Sequence, residues 1–218
     1  MLRSQSKNSV LSYHDCLLRQ EDLHLLNGPF WLNDALIGFY FEYLQHKYED
    51  SKSKMLFLSP ELTQLLKLTD SHEYGTFLDP ISAKNMDYIF FPVNDCSSRE
   101  SAGGSHWTLM VFSKPERTCF YFDSSSSSNT AAEADFSKGI MSYLLENGNG
   151  QFVEVKCPQQ KNGYDCGLFV LCFTDVIAEH ILEASQIEGC NCESVQSLVS
   201  RKRESLISLI HKLKESNP

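Results

Sequence analysis

A cysteine serves as a nucleophile when it is held as a thiolate beside an acid–base partner, and this chain carries eight cysteines and seven histidines. Cys166 stands apart by its setting. It follows Asp165 and the turn-forming run NGYD and would occupy the first turn of an apolar helix. There the unpaired N–H groups and the positive end of the dipole stabilise a thiolate. Gly167, next in the chain, lets another backbone or a substrate come close. Taken alone, Cys166 could equally be a buried structural thiol.

The thiolate needs an imidazole, and the imidazole needs an acceptor to orient it. His14, His24, His46, His72, His180 and His211 lie in polar surroundings or on helix faces, whereas His106 closes the flexible run SAGGS and opens the strand HWTLMVF. Asp123 ends the next strand, TCFYF. Pairing of the two strands as an antiparallel hairpin brings Asp123 close to His106. The constellation is then Cys, His and Asp, in the chain order His106, Asp123, Cys166. Gln160 lies six residues before Cys166, where its amide could meet a developing oxyanion together with the Cys166 N–H. Its neighbour Gln159 has the same chemistry, and a solvated loop glutamine is the alternative for either.

These residues must be positioned by the elements around them. Val10 to Leu26 reads as extended chain or a hairpin, with apolar segments on both sides of Arg19 to Asp22. After the Gly28–Pro29 turn, Leu36, Ile37, Tyr40, Phe41 and Leu44 recur at helical spacing behind a cap at Asn33 or Asp34. MLFLS is a short strand whose Ser59 caps a helix with Pro60 at its first position. A helix over 72–78 is stopped by Pro80. The runs at 87–93, 106–112, 118–122 and 151–155 are rich in β-branched and aromatic residues and are expected to form one sheet. Residues 130–146 fit a helix, 165–184 a helix apolar on nearly every side and therefore buried, and 193–214 an amphipathic basic helix. Helices, a block of strands, then helices make an α+β pattern.

At 218 residues the chain can bury a full core without staples, so one domain over 10–218 is expected behind a disordered tail at 1–9. Nineteen basic against 28 acidic residues leave a net charge of −9, which repels nucleic acid and favours basic partners. No apolar run reaches the roughly 18 residues of a membrane span, and MLRSQSKNS lacks the apolar stretch of a signal peptide. A soluble protein of cytoplasm or nucleus is expected, as a monomer. No C-x2-C pair is present, so a structural zinc site is not expected, and the thiols are expected to be reduced. The C-x-C at 190 and 192 reads as incidental, Cys96 has no assigned role, and RKR at 201–203 reads as a solvated helix face.

The runs WLND (31–34), GGSHW (103–107), FYFDSSS (120–126) and PQQKNGYDCG (158–167) together resemble the Ulp-type, or sentrin-specific, cysteine proteases, which process ubiquitin-like modifiers. The resemblance spans about residues 10–180. Compact length and the runs VLSYHDCLLRQEDLHLL and FLSPELTQLLK make the chain most similar to the family's deneddylating members, which act on the neddylation modifier (RUB in plants). The resemblance implies a papain-like fold, with a mixed central sheet flanked by helices and the nucleophile at the N-terminus of a buried helix. It implies Cys166 as nucleophile, His106 as base and then acid, Asp123 as orienter and Gln160 as oxyanion donor. It also implies a channel in which Trp31 and Trp107 cover the Gly-Gly end of the modifier. Closely spaced rings admit only glycine, although either tryptophan by itself could be core. Asn33 and Asp34 would bind the modifier's backbone and a basic side chain, with helix capping as the other role. Residues 94–101 would form a flap that orders on binding. No metal or organic cofactor is implied. SUMO is the alternative modifier. Acyl transfer on the same architecture and a non-catalytic modifier-binding module are the alternative functions, disfavoured by the tryptophan pair and by the filled catalytic positions.

Overall fold

The computed structural model describes residues 8–98, 103–125 and 130–216. Strands β1 (Ser9–Tyr13) and β2 (Cys16–Arg19) form an antiparallel hairpin that turns through His14, whose φ is 45°. The hairpin agrees with the extended reading of this segment, but its turn lies earlier than Arg19 to Asp22. Those residues instead start helix α1 (Gln20–Leu26), where the Asp22 carboxylate accepts the Arg19 N–H at 2.7 Å. The expected tail at 1–9 falls mostly outside the described residues. Ser9 itself opens β1, and the Asn8 carbonyl accepts from the Gln20 N–H.

Helix α2 (Asp34–Lys47) is capped by Asn33, whose Oδ1 accepts the Leu36 N–H at 3.1 Å. Strand β3 (Met55–Phe57) leads to α3 (Pro60–Lys67), capped by Ser59 through the Leu62 N–H, and α4 (Tyr74–Leu78) follows. Then come β4 (Tyr88–Asn94), β5 (Trp107–Ser113), β6 (Thr118–Phe122), α5 (Ala131–Leu144) and β7 (Gln151–Glu154). The chain closes with α6 (Cys166–Ala184) and α7 (Val195–Ser216). One five-stranded sheet runs in the order β3-β4-β5-β6-β7. β5 is antiparallel to both neighbours and the outer pairs are parallel, so the sheet is mixed and includes β3 beside the four strands foreseen.

Alternation along the strands feeds two cores. Tyr88, Phe90, Leu109, Val111, Phe120 and Phe122 face α2, α6 and α7. Ile89, Phe91, Met110, Phe112, Cys119 and Tyr121 face α3, α4 and α5. With both faces covered, every residue of β5 is buried, which explains its unbroken apolar run. No helix among the described residues is long and apolar enough to cross a membrane.

Candidate active site

Register places the first pair of groups. Leu109 pairs with Phe122, so His106, just before β5, and Asp123, just after β6, emerge at the same end of two adjacent strands. His106 Nε2 donates to Asp123 Oδ1 at 2.6 Å, with the side chains only 17% and 10% exposed. The Ser125 N–H donates to the same oxygen at 2.7 Å. With Nε2 engaged, Nδ1 is the ring nitrogen left for Cys166, which lines the same cleft as His106. Burial pulls the imidazole down. Hydrogen bonds and charges of Asp123 and Cys166 outweigh it and raise His106 from 6.5 to about 10.

Cys166 opens α6 and is 2% exposed. The turn before it is held by Asn162, whose Oδ1 accepts the N–H groups of Tyr164 and Asp165 at 3.1 and 3.0 Å. Asn162 Nδ2 donates to Asp165 Oδ2 at 2.8 Å, and Arg203 Nη2 donates to the other carboxylate oxygen at 3.0 Å. Gln160 is fixed at both ends of its amide: Oε1 accepts from Ser124 Oγ at 2.8 Å and Nε2 donates to the Asn162 carbonyl at 2.7 Å. Gln159 turns the other way and donates to the carbonyls of Asp123 and Cys157. Of the two glutamines, Gln160 therefore keeps an amide N–H outside the bonds found among the described residues.

A cleft of about 500 Å³ leads to this centre, lined by Trp31, Trp107, His106 and Cys166, with Asp34 and Cys96 at its sides. Trp107 is 6% exposed and its indole N–H donates to the Leu32 carbonyl at 3.1 Å. Trp31 is 49% exposed, and its indole N–H donates to the Gly163 carbonyl at 2.5 Å. The Trp31–Leu32 segment lies against the nucleophile helix only because residue 167 is glycine: a Cβ there would sit 2.9 Å from Leu32 Cβ. On the opposite rim Gly104 has φ +148°, and a Cβ would lie 1.8 Å from Asn94 Oδ1.

The model of the Ulp1 protease family, C-terminal catalytic domain, matches residues 30–211. The chain belongs to this family. It is 37% identical over 211 residues to sentrin-specific protease 8 of Rattus norvegicus, covering 95% of this chain and 96% of the relative. It is 34% identical to NEDD8-specific protease 1 of Arabidopsis thaliana, covering 98% and 97%. Among solved structures it resembles the C-terminal Ulp1 protease domain in complex with Smt3, the yeast orthologue of SUMO. The TM-score is 0.73 at 20% identity, covering 96% of this chain and 90% of that one. The fold is thus that of Ulp1 protease domains, and the protein is a cysteine peptidase of the Ulp1 family.

In this Ulp1-family peptidase the structure brings Cys166, His106, Trp31 and Trp107 to one cleft, with Asp123 bonded to His106 and Gln160 held by Ser124, the residue after Asp123, and by Asn162 in the loop before Cys166. Asn33 is different. Its oxygen caps α2 and its Nδ2 donates to Asp22 Oδ1 at 2.7 Å, so capping occupies the side chain although it lines the cleft. Asp34 is exposed at the cleft mouth. Of the expected flap, residues 99–101 lie outside the described residues. Its base is anchored, since the Asp95 carboxylate accepts the Ser105 N–H and Oγ–H, each at 2.7 Å, and Gln64 Nε2 donates to the Cys96 carbonyl at 2.9 Å.

Sequence reasoning missed Ser124, Asn162 and Arg203. Ser124 belongs to a serine run read as plain loop, yet it is 2% exposed and grips Gln160 by side chain and backbone; residues 126–128 of that run lie outside the described residues. Asn162 sits inside the NGYD turn signal and could have been found there as an Asx turn. The solvated face read for RKR holds at Arg201 and is overturned at Lys202 and Arg203. Lys202 is 6% exposed and donates to Asp175 at 2.5 Å and to Tyr40 Oη at 2.7 Å, while Arg203 reaches Asp165. Cys190 and Cys192 shift each other's thiol, Cys190 down and Cys192 up, and no group of three potential metal ligands among the described residues includes a cysteine.

Proposed function

We propose that this protein cleaves after the C-terminal Gly-Gly of a ubiquitin-like modifier, and that the modifier is the neddylation modifier, released from its precursor or from conjugates. The observation that carries the reading is the placement of both tryptophans of the chain on the cleft that ends at Cys166 and His106. A cleft walled by two indoles admits an extended chain without side chains and favours glycine at the scissile position.

Chemistry follows from the geometry. Deprotonated Cys166 Sγ attacks the glycyl carbonyl, and the oxyanion is met by the Cys166 N–H and the free N–H of Gln160. His106, protonated at neutral pH, gives its proton to the leaving amine as the C–N bond breaks, leaving a thioester on Cys166. A water molecule then attacks the thioester and gives its proton to His106. The modifier leaves with a free carboxylate and the Cys166–His106 pair is restored. Asp123 holds Nε2 throughout, so the ring presents Nδ1 to the sulfur.

The choice of modifier is supported by the names of the relatives, sentrin-specific protease 8 and NEDD8-specific protease 1, at 34–37% identity over nearly the whole chain. The deciding experiment labels the wild type and Cys166→Ala with propargylated C-terminal probes of the neddylation modifier, SUMO and ubiquitin. An adduct with the neddylation-modifier probe alone, absent from the variant, supports the reading. An adduct with SUMO instead overturns the modifier and keeps the mechanism. No adduct with any probe overturns the protease reading in favour of acyl transfer or modifier binding.

A further inference from the structure

Arg203 lies on α7, 38 residues beyond Asp165 and 173 beyond Phe30, yet one guanidinium binds both regions. Nη1 donates to the Leu25 carbonyl and Nη2 to the Phe30 carbonyl, each at 2.7 Å, and Nη2 also reaches Asp165 Oδ1 at 3.0 Å. Leu25 belongs to the last turn of α1, where carbonyls lack helical partners. Phe30 is the residue before Trp31, and Asp165 the residue before Cys166. The planar fork therefore links the segment that carries the exposed indole to the first turn of the nucleophile helix. Its side chain is 17% exposed, and α7 is pinned next door by the Lys202–Asp175 ion pair, so the fork is delivered by a fixed helix. The Asp165 charge, adjacent to a nucleophile that must itself be an anion, is neutralised in the same contact.

We propose that Arg203 is a positioning residue of the hydrolytic reaction, setting the separation between the Trp31 wall of the cleft and Cys166. The proposal rests on the reading of that cleft as the glycine channel. It touches no reacting atom. It acts through the Phe30 carbonyl on one side and the Asp165 carboxylate on the other, and a three-acceptor contact of this shape suits a guanidinium and not an ammonium.

The test compares wild type, Arg203→Met and Arg203→Lys as full chains. Four quantities are measured: kcat and KM on a fluorogenic C-terminal amide of the neddylation modifier, the rate of Cys166 alkylation by iodoacetamide, and the melting temperature. A displaced channel wall slows turnover of a channel-bound substrate far more than attack on a small reagent that needs only the Cys166–His106 pair. Arg203→Met is expected to lower kcat about tenfold or more, with KM and the alkylation rate each within about threefold of wild type. Arg203→Lys keeps the charge and the stem but loses the fork, and is expected to lower kcat by about threefold or more with the same selectivity. Should the methionine variant fail to fold, the lysine variant decides by the same criteria. The proposal is overturned if kcat stays within about twofold of wild type. It is equally overturned if the loss lies in KM, or if turnover and alkylation fall in parallel with the melting temperature, as a merely structural role requires. A wild type that hydrolyses the SUMO amide instead overturns only the modifier assignment, and the Arg203 criteria are then read on that amide.

Discussion

The Trp31 indole donates to the Gly163 carbonyl at 2.5 Å, joining residues 132 apart in sequence. Trp31 is 49% exposed, so packing alone does not hold it. The hydrogen bond to the loop before the nucleophile fixes its plane. The Trp107 indole is tied from the other side, to the Leu32 carbonyl, so both rings are fixed to the same short segment and the helix start it touches.

Trp31→Phe keeps a ring and removes the donor. A hydrogen bond of this kind contributes about 0.5–1.5 kcal/mol, which predicts a loss of about two- to tenfold in kcat/KM on a modifier amide. Trp31→Ala removes the wall itself and is expected to lose more. Steady-state kinetics of the two variants checks the order, and equal losses would remove the hydrogen bond from the explanation.

Cys166→Ala is expected to abolish turnover while still binding the modifier, because the sulfur supplies the covalent step and the cleft walls come from other residues. Calorimetric titration with the mature modifier measures the second part. Appreciable residual hydrolysis by this variant would sink the nucleophile assignment.

His106 is raised to about 10, so kcat/KM is expected to hold across neutral pH and to fall on an alkaline limb near that value, as the imidazolium loses the proton needed by the leaving amine. Asp123→Asn removes a charge that favours the imidazolium and should move the limb to lower pH. Stability follows the same sign: the folded state favours the protonated ring, so the contribution is complete below about 6.5 and is lost as pH rises through about 10. Rate profiles and melting curves of the two proteins measure both effects, and a limb unmoved in Asp123→Asn belongs to another group.

Removal of one oxyanion donor typically costs about 10²–10³ in kcat, and Gln160→Ala is expected to fall in that range. Ser124→Ala leaves the donor present but frees its amide oxygen, so a smaller loss is expected, on the order of tenfold. Gln159→Ala should stay closer to wild type than either, since its amide faces Asp123 and Cys157. Comparison of the three kcat values tests the ranking.

Gly167→Ala puts a Cβ 2.9 Å from Leu32 Cβ. Overpacking of this kind costs about 1–3 kcal/mol, and relief by moving Leu32 displaces Trp31 from Cys166. Both a lower melting temperature and a reduced kcat are expected. A fully active variant with an unchanged melting temperature would mean that the contact is easily relieved.

Much of the site was legible because short-range physics writes it into local sequence. Ser59 before Pro60 and Asn33 before an apolar-periodic run are caps, and each caps as read. His106 and Asp123 flank two strands joined by a short turn, and a hairpin has little choice but to bring such ends together. The buried helix behind Cys166 announced itself by apolar residues on every side. Helix α1 was missed because seven residues carry too weak a pattern to outweigh an extended reading; β3 was read as a strand, but its place in the sheet was not, because a three-residue parallel edge has no local partner.

The sequence by itself determined the reaction class: a cysteine at a helix start, a histidine and an aspartate at paired strand ends, and two tryptophans in matching runs. Tertiary structure alone decided how those groups are held. Lys202 and Arg203 look like any basic helix face until the fold brings Asp175, Tyr40, Asp165 and the Phe30 carbonyl to them, across separations of 27 to 173 residues. Gln159 and Gln160 are the same residue type one position apart, and only their distant partners, the Asp123 carbonyl and the Ser124 side chain, send them to different tasks. Caps, turns and periodicity are set by neighbours in the chain and can be read there. The burial of a charge or the direction of an amide is set by groups that become neighbours only when the chain has folded.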